Sequence, residues 1–130
     1  MSTFKVDTLQ STTGGVTTLT KQVASKTWAN FTGVTTTSVR DSFNVSSLTD
    51  NGTGSTTVNM TNSMSNVNYT GSWFHNSSTA LAASSFDNTW GGGFGDRGTG
   101  SYIVWSYGTA YPGSSVDSSR NDTVIVGDLA

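Results

Sequence analysis

Cysteine is missing altogether, so neither a disulfide framework nor a thiolate metal site holds this chain together, and its redox compartment leaves no trace in the sequence. Glutamate is missing too. All eight acids are Asp, a residue suited to turns and disfavoured in helix interiors. The one proline, Pro112, falls in a Tyr-Pro-Gly turn. The one histidine, His75, leaves any metal site dependent on Asp alone, and no D-x-D-x-D-G cluster supplies it, so no cofactor is expected. The six basic residues stand singly, which excludes the basic stripe of a nucleic-acid surface. No run approaches the ~18 apolar residues of a membrane span, and no basic segment precedes an apolar core at the start, so membrane insertion is not expected.

What is present is the material of short strands and turns. Ser and Thr make up about a third of the 130 residues, with 15 Gly. Val, Ile, Leu and Phe make up only about a fifth, near the level at which disorder is suspected. Disorder also wants high net charge, whereas here it is −2, and four Trp, four Tyr and six Phe supply large apolar areas. The reading is one folded domain with a thin core, since a chain of this size removes roughly two-thirds of its extended surface from water.

Along the chain, TFKVDTL alternates as a half-buried strand and is followed by a turn over 11–15. Residues 1–25 read as an extended N-terminal arm, with a short helical turn possible at KQVASK, and residues 26–130 as the domain. KTWANF places Trp28 on one face and Ala29 and Phe31 on the other. SVRDSFNV places Val39, Asp41, Phe43 and Val45 on one face, expected to be buried with Asp41 as its exception. Asn51-Gly52 suits a tight hairpin turn that returns into STTVNM. NYTGSWF, GSYIVWSYG and DTVIVGDL are further strands. The expected fold is all-β, a single antiparallel β-sandwich, jelly-roll-like or Ig-like. HNSSTALAASS reads as loop or one helical turn, and WGGGFGDRGTG holds too many glycines for a regular element, so a mobile or tightly turned loop is expected there, with Asp96 and Arg97 paired across it.

Chemistry-bearing motifs are few. The Gly run lacks the Gly-Lys and following helix of a phosphate loop. His75 in SWFHN has no nucleophile motif beside it, and Asp87 and Asp96, the nearest approach to an acid pair, both lie in turn-like surroundings, so an enzyme is not expected. Aromatic residues interleaved with Asn, Ser and Thr in the second half are the better candidates, because such surfaces recognise saccharides and proteins. Strand positions such as Tyr102 and Trp105 read first as core. The candidate recognition surface is Trp73, His75, Trp90, Phe94, Arg97, Tyr107 and Tyr111. Asn-x-Ser/Thr sequons recur, for example at Asn30, Asn51 and Asn121, and are expected by chance in a chain so rich in Ser and Thr.

KTWANFTGVTTTSVR, RDSFNVSSLTDNGTGSTTVNM, NYTGSWF and TVIVGD together resemble a β-rich module of tail-fibre-like virion proteins from marine tailed bacteriophages of the cyanophage and pelagiphage type. The resemblance is most specific over residues 26–60 and weak through 76–115. It implies a structural protein on the virion exterior, of tail or head, assembled as a homo-oligomer with a trimer favoured, contacting other virion proteins and a host surface glycan or protein. It implies no catalytic residues. The chain is much shorter than a typical fibre and the module starts almost at the N-terminus, which makes a head appendage or capsid decoration protein, held by its N-terminal arm, the alternative.

Overall fold

The computed structural model describes residues 24–76, 92–107 and 115–130. Eight strands form two four-stranded antiparallel sheets packed face to face as a β-sandwich. Sheet I has the order β2-β1-β8-β5, from Ser38–Phe43, Ser25–Thr32, Arg120–Val126 and Thr70–Asn76. Sheet II has the order β3-β4-β7-β6, from Val45–Asp50, Ser55–Met60, Ser101–Ser106 and Gly92–Gly95. Among the described residues there is no helix, and so none long and apolar enough to cross a membrane. β1 begins at Ser25, so the last part of KQVASK is strand, while residues 1–23 lie outside the described residues.

Period-2 alternation builds the interior. Ala29 and Phe31 of β1, Val58 and Met60 of β4, Tyr102 and Val104 of β7 and Ile125 of β8 are buried together with Met64 and Tyr69. Among the described residues seven polar ones are buried beside these nine apolar ones, Thr27, Thr56, His75, Ser106, Ser118, Asn121 and Thr123. At near parity the core cannot be held by apolar burial alone, so hydrogen bonds must satisfy its polar half. One crosses between the sheets: Tyr102 Oη lies 2.8 Å from Thr123 Oγ1. Burial pushes the Tyr102 phenol well above its ordinary pKa, the Thr123 hydrogen bond lowering it and nearby Tyr69 raising it further.

The segment SVRDSFNV is not one strand with one buried face. Asn44 adopts φ 60°, a left-handed conformation that Asn tolerates, and turns the chain from β2 in sheet I to β3 in sheet II. Its side chain fixes the crossing: Nδ2 donates to Lys26 O, Thr27 Oγ1 and Asn62 O at 3.0–3.1 Å, and Oδ1 accepts from the Asn62 amide at 2.7 Å. Val39 and Phe43 consequently stand exposed on edge strand β2, at 39% and 53%. Asp41, the expected exception on that face, is exposed with them.

The hairpin between β3 and β4 is as expected, but its turn is longer than an Asn-Gly pair. Four residues connect the strands, and the positive φ values belong to Gly52 (110°) and Gly54 (72°). The Asp50 carboxylate accepts from the Gly52 amide at 2.8 Å, closing the loop locally. The glycine-rich run also departs from expectation, because Gly92–Gly95 pairs with β7 as the edge strand of sheet II. A Cβ on Gly95 would lie 1.8 Å from Cζ3 and 2.0 Å from Cη2 of Trp105, so the indole covers the strand at a position only glycine permits.

Candidate functional site

The topology separates two ends. β1 begins at Ser25 opposite Val126, and β5 begins at Thr70 opposite the same residue, so both strands start at one end, here the base. The long connections over 77–91 and 108–114 both leave from the other end: Asn76 pairs with Arg120, Gly92 with Ser106, and Tyr107 bridges Ser115. This end is the apex.

Hydrogen bonds between small polar groups close the apex. Ser118 O accepts from the Gly33 amide at 2.8 Å, Ser106 Oγ donates to Asn121 Oδ1 at 3.1 Å, and the Ser106 amide donates to Gly54 O at 2.8 Å. Gly54 N–H in turn donates to Asp117 Oδ1 at 2.8 Å. Ser118, Asn121 and Ser106 are all buried, so this clasp joins the two sheets inside the molecule. Sequence reasoning missed these residues; the signal was available in Asn121 and Thr123 preceding Ile125 at period 2, which puts all three on one face.

His75 and Trp73 belong to this interior. Their rings stack with centroids 4.4 Å apart, and His75 Nδ1 lies 2.9 Å from Ser118 Oγ. That distance suits a nucleophile and its base, but Ser118 is 1% exposed, so no substrate carbonyl reaches the hydroxyl in this conformation. Placing His75 and Trp73 on a recognition surface is therefore corrected: β5 alternation turns both inward, where His75 is buried and Trp73 packs against the core. Phe74, between them, faces out at 42% exposure.

Arg97 also plays a different part. It sits at the base, donating to Tyr69 O at 2.8 Å instead of pairing with Asp96; the one ion pair among the described residues is Arg120 with Asp122 at 2.7 Å. Tyr69 Oη lies 3.0 Å from both Gly98 O and Ser101 O, and burial raises its pKa while neighbouring Arg97 lowers it in part. Tyr107 is half-buried at the apex. Phe94 contributes its backbone to β6 opposite Val104, and Trp90 and Tyr111 lie outside the described residues, as does Asp87. Among the described candidates, Trp73 and His75 in the interior, Arg97 at the base and Tyr107 at the apex do not form one patch. Among the described residues no group of three or more His or Asp is placed to hold a metal.

Trp105 is the aromatic residue that the structure moves outward. Tyr102 and Val104 face the core, so Ile103 and Trp105 face the opposite side of sheet II, where Trp105 pairs with Ser55 and Ile103 with Thr57. No protein-family model, curated protein or solved structure matches the chain.

Proposed function

We propose that the chain is a non-enzymatic structural protein of a bacteriophage virion surface, tail-fibre-like, held at its base and presenting its apex to a host surface. The observation that carries this reading is the division of the sandwich into ends: β1, which follows residues 1–24, starts at the base, and the connections containing the aromatic stretches 77–91 and 108–114 depart from the apex. A hydrogen-bonded clasp beneath long connections is a scaffold of the kind that carries binding loops. Antibody labelling of intact particles tests it directly. Label on tail tips with retention of the purified protein by host cells is the expected result; absence from particles overturns it.

Assembly into a homo-oligomer, trimeric as in fibres, is part of this proposal. Phe43 and Val124 flank Trp28 in one cross-strand row on the outer face of sheet I, 53% and 42% exposed, and association of copies there would remove that row from water. Sedimentation is expected to give an oligomer that Phe43→Asp dissociates. A wild-type monomer at micromolar concentration refutes this part. A capsid-decoration role draws on the same row, since lateral contacts between copies build a coat; label on heads instead of tails decides for it.

A further inference from the structure

The outer face of sheet II combines an indole with a run of amides and hydroxyls. Trp105 reaches across Gly95, where the Cζ3–Cη2 rim of its six-membered ring occupies the space of a Cβ, and the residue remains partly exposed. Among the described residues the one buried side-chain donor without a partner is Trp73 Nε1, so the unbonded Trp105 N–H is open to water. Beside the indole runs a ladder of amides and hydroxyls. Asn51 Nδ2 donates to Thr57 Oγ1 at 2.8 Å and Ser55 Oγ at 3.4 Å, and Asn59 Nδ2 donates to Ser47 Oγ and Thr49 Oγ1 at 3.1 Å each. These bonds fix the amides in place. Each accepting hydroxyl keeps its own proton for an external acceptor, and hydroxyl and amide groups are what a ligand rich in hydroxyls pairs with. No outward-facing position of β3, β4, β6 or β7 on this face bears a charge.

We infer that this face binds a neutral polysaccharide, with a pyranose ring stacked on Trp105 and hydroxyls of the adjoining unit bonded to the Asn51, Thr57 and Asn59 ladder. A sugar ring has an apolar face of C–H groups with partial positive charge, which the negative face of the indole attracts, and a rim of hydroxyls for the polar groups. The occupant follows from what is present: an anionic polymer would need cations that the face does not have, and a protein partner would need an apolar centre larger than one indole and Ile103. From β6 to β3 the face spans three inter-strand steps, about 14 Å, so a chain of several units is bound in preference to a monosaccharide. This deepens the attachment reading by assigning the host ligand to sheet II, yet the binding itself does not require a virion.

Native gels cast with laminarin, galactomannan or dextran, each a neutral polymer, measure it on the full-length protein, with alginate as the anionic control. The expected result is retardation by at least one neutral polymer, unchanged between low and high salt, with quenching of Trp fluorescence in solution. Trp105→Leu keeps an apolar cover on Gly95 and removes the aromatic face; it is expected to weaken binding at least tenfold, while Trp105→Phe retains part of it and Asn59→Ala weakens it several-fold. Circular dichroism and melting temperature of each variant confirm the fold. Retardation by none of the three neutral polymers overturns the inference, as does binding that Trp105→Leu leaves intact or that appears for alginate alone. Polysaccharide binding by a protein absent from particles refutes the attachment reading and leaves this one standing; attachment to host cells by Trp105→Leu at wild-type strength leaves the attachment reading standing and overturns the assignment of the host ligand to sheet II.

Discussion

Replacing Gly54 by alanine tests whether the apex clasp and the hairpin turn are one device. Gly54 has φ 72°, a left-handed backbone that costs an L-residue about 1–2 kcal/mol. The added Cβ would stand 2.5 Å from Ser106 O, 2.8 Å from Val116 N and 3.0 Å from Ser115 Cβ. Two of those three atoms are backbone, so no side-chain rotation relieves the clash. Relief requires moving the turn away from Ser106, which opens the Ser106 N–H to Gly54 O bond and draws Gly54 N–H off Asp117, each 2.8 Å long. A buried donor left unsatisfied costs about 1–3 kcal/mol, which brings the total to about 2–5 kcal/mol. Against a net stability of roughly 5–15 kcal/mol this is a large fraction.

Gly52 is the internal control. It has φ 110° and nothing within 4 Å of a Cβ, so Gly52→Ala carries backbone strain alone, about 1–3 kcal/mol. For a domain between the small and large size classes each kcal/mol moves the melting temperature by about 3–5 °C. Thermal unfolding followed by Trp fluorescence should place Gly54→Ala about 10–20 °C below wild type, and Gly52→Ala clearly above it. Hydrogen exchange should show the Ser106 amide losing protection in Gly54→Ala only. If Gly54→Ala melts level with or above Gly52→Ala, the coupling of turn to clasp is wrong.

Three further outcomes follow from named contacts. Asn44→Ala should cost about 3 kcal/mol by urea unfolding, and Asn44→Gly should cost nearly as much, because the lost side-chain bonds and not the left-handed backbone carry most of the effect. Because burial keeps the Tyr102 proton on in the folded state, stability should be full below pH 10, the ordinary tyrosine value, and fall above it by up to about 1.4 kcal/mol per pH unit; Tyr102→Phe should flatten that slope while costing about 1 kcal/mol at neutral pH. Gly95→Ala should displace the Trp105 indole, seen as a shift in Trp emission, with a smaller stability loss than Gly54→Ala because the obstructing atoms belong to a side chain and Gly95 lies on an edge strand.

The sandwich was legible because alternation is a local signal. KTWANF separated Trp28 from Ala29 and Phe31, and the structure buries the latter pair, while the Asp50 to Gly54 turn marked the β3–β4 hairpin. Alternation is silent about which sheet a strand joins. SVRDSFNV keeps its period through Asn44 while the backbone changes sheets there, so Val39 and Phe43 read as core and emerge at an edge. The glycine run failed for a related reason: Gly92–Gly95 has little strand preference of its own, and the ring of Trp105, ten residues beyond Gly95, supplies the cover that its own side chains lack. Site residues were read from aromatic composition, which does not record direction. Counting by twos from Tyr102 would have sent Trp105 outward, and the buried polar set that turns His75 into an interior group becomes visible only when β5 and β8 are paired.

The two ends of the sandwich are tied by different physics, and this bears on what each end tolerates. At the base, Met64 and Tyr69 are buried against Gly127, where a Cβ would come within 2.6–2.7 Å of both side chains, and Met64 bridges Leu129. Apolar packing of that density is sensitive to every added methylene. At the apex, where residues 77–91 and 108–114 attach, the ties are backbone groups and the short side chains of Ser106, Ser118 and Asn121. Those bonds reach between strand ends and do not depend on what the connections contain. Exchanging residues 108–114 for an unrelated sequence of equal length should therefore leave the melting temperature within a few degrees of wild type, because the Val116 amide still donates to Ser106 O and Asp117 still receives Gly54 N–H. A collapse of stability on that exchange would mean that the connection itself closes the apex, and that the clasp is its consequence.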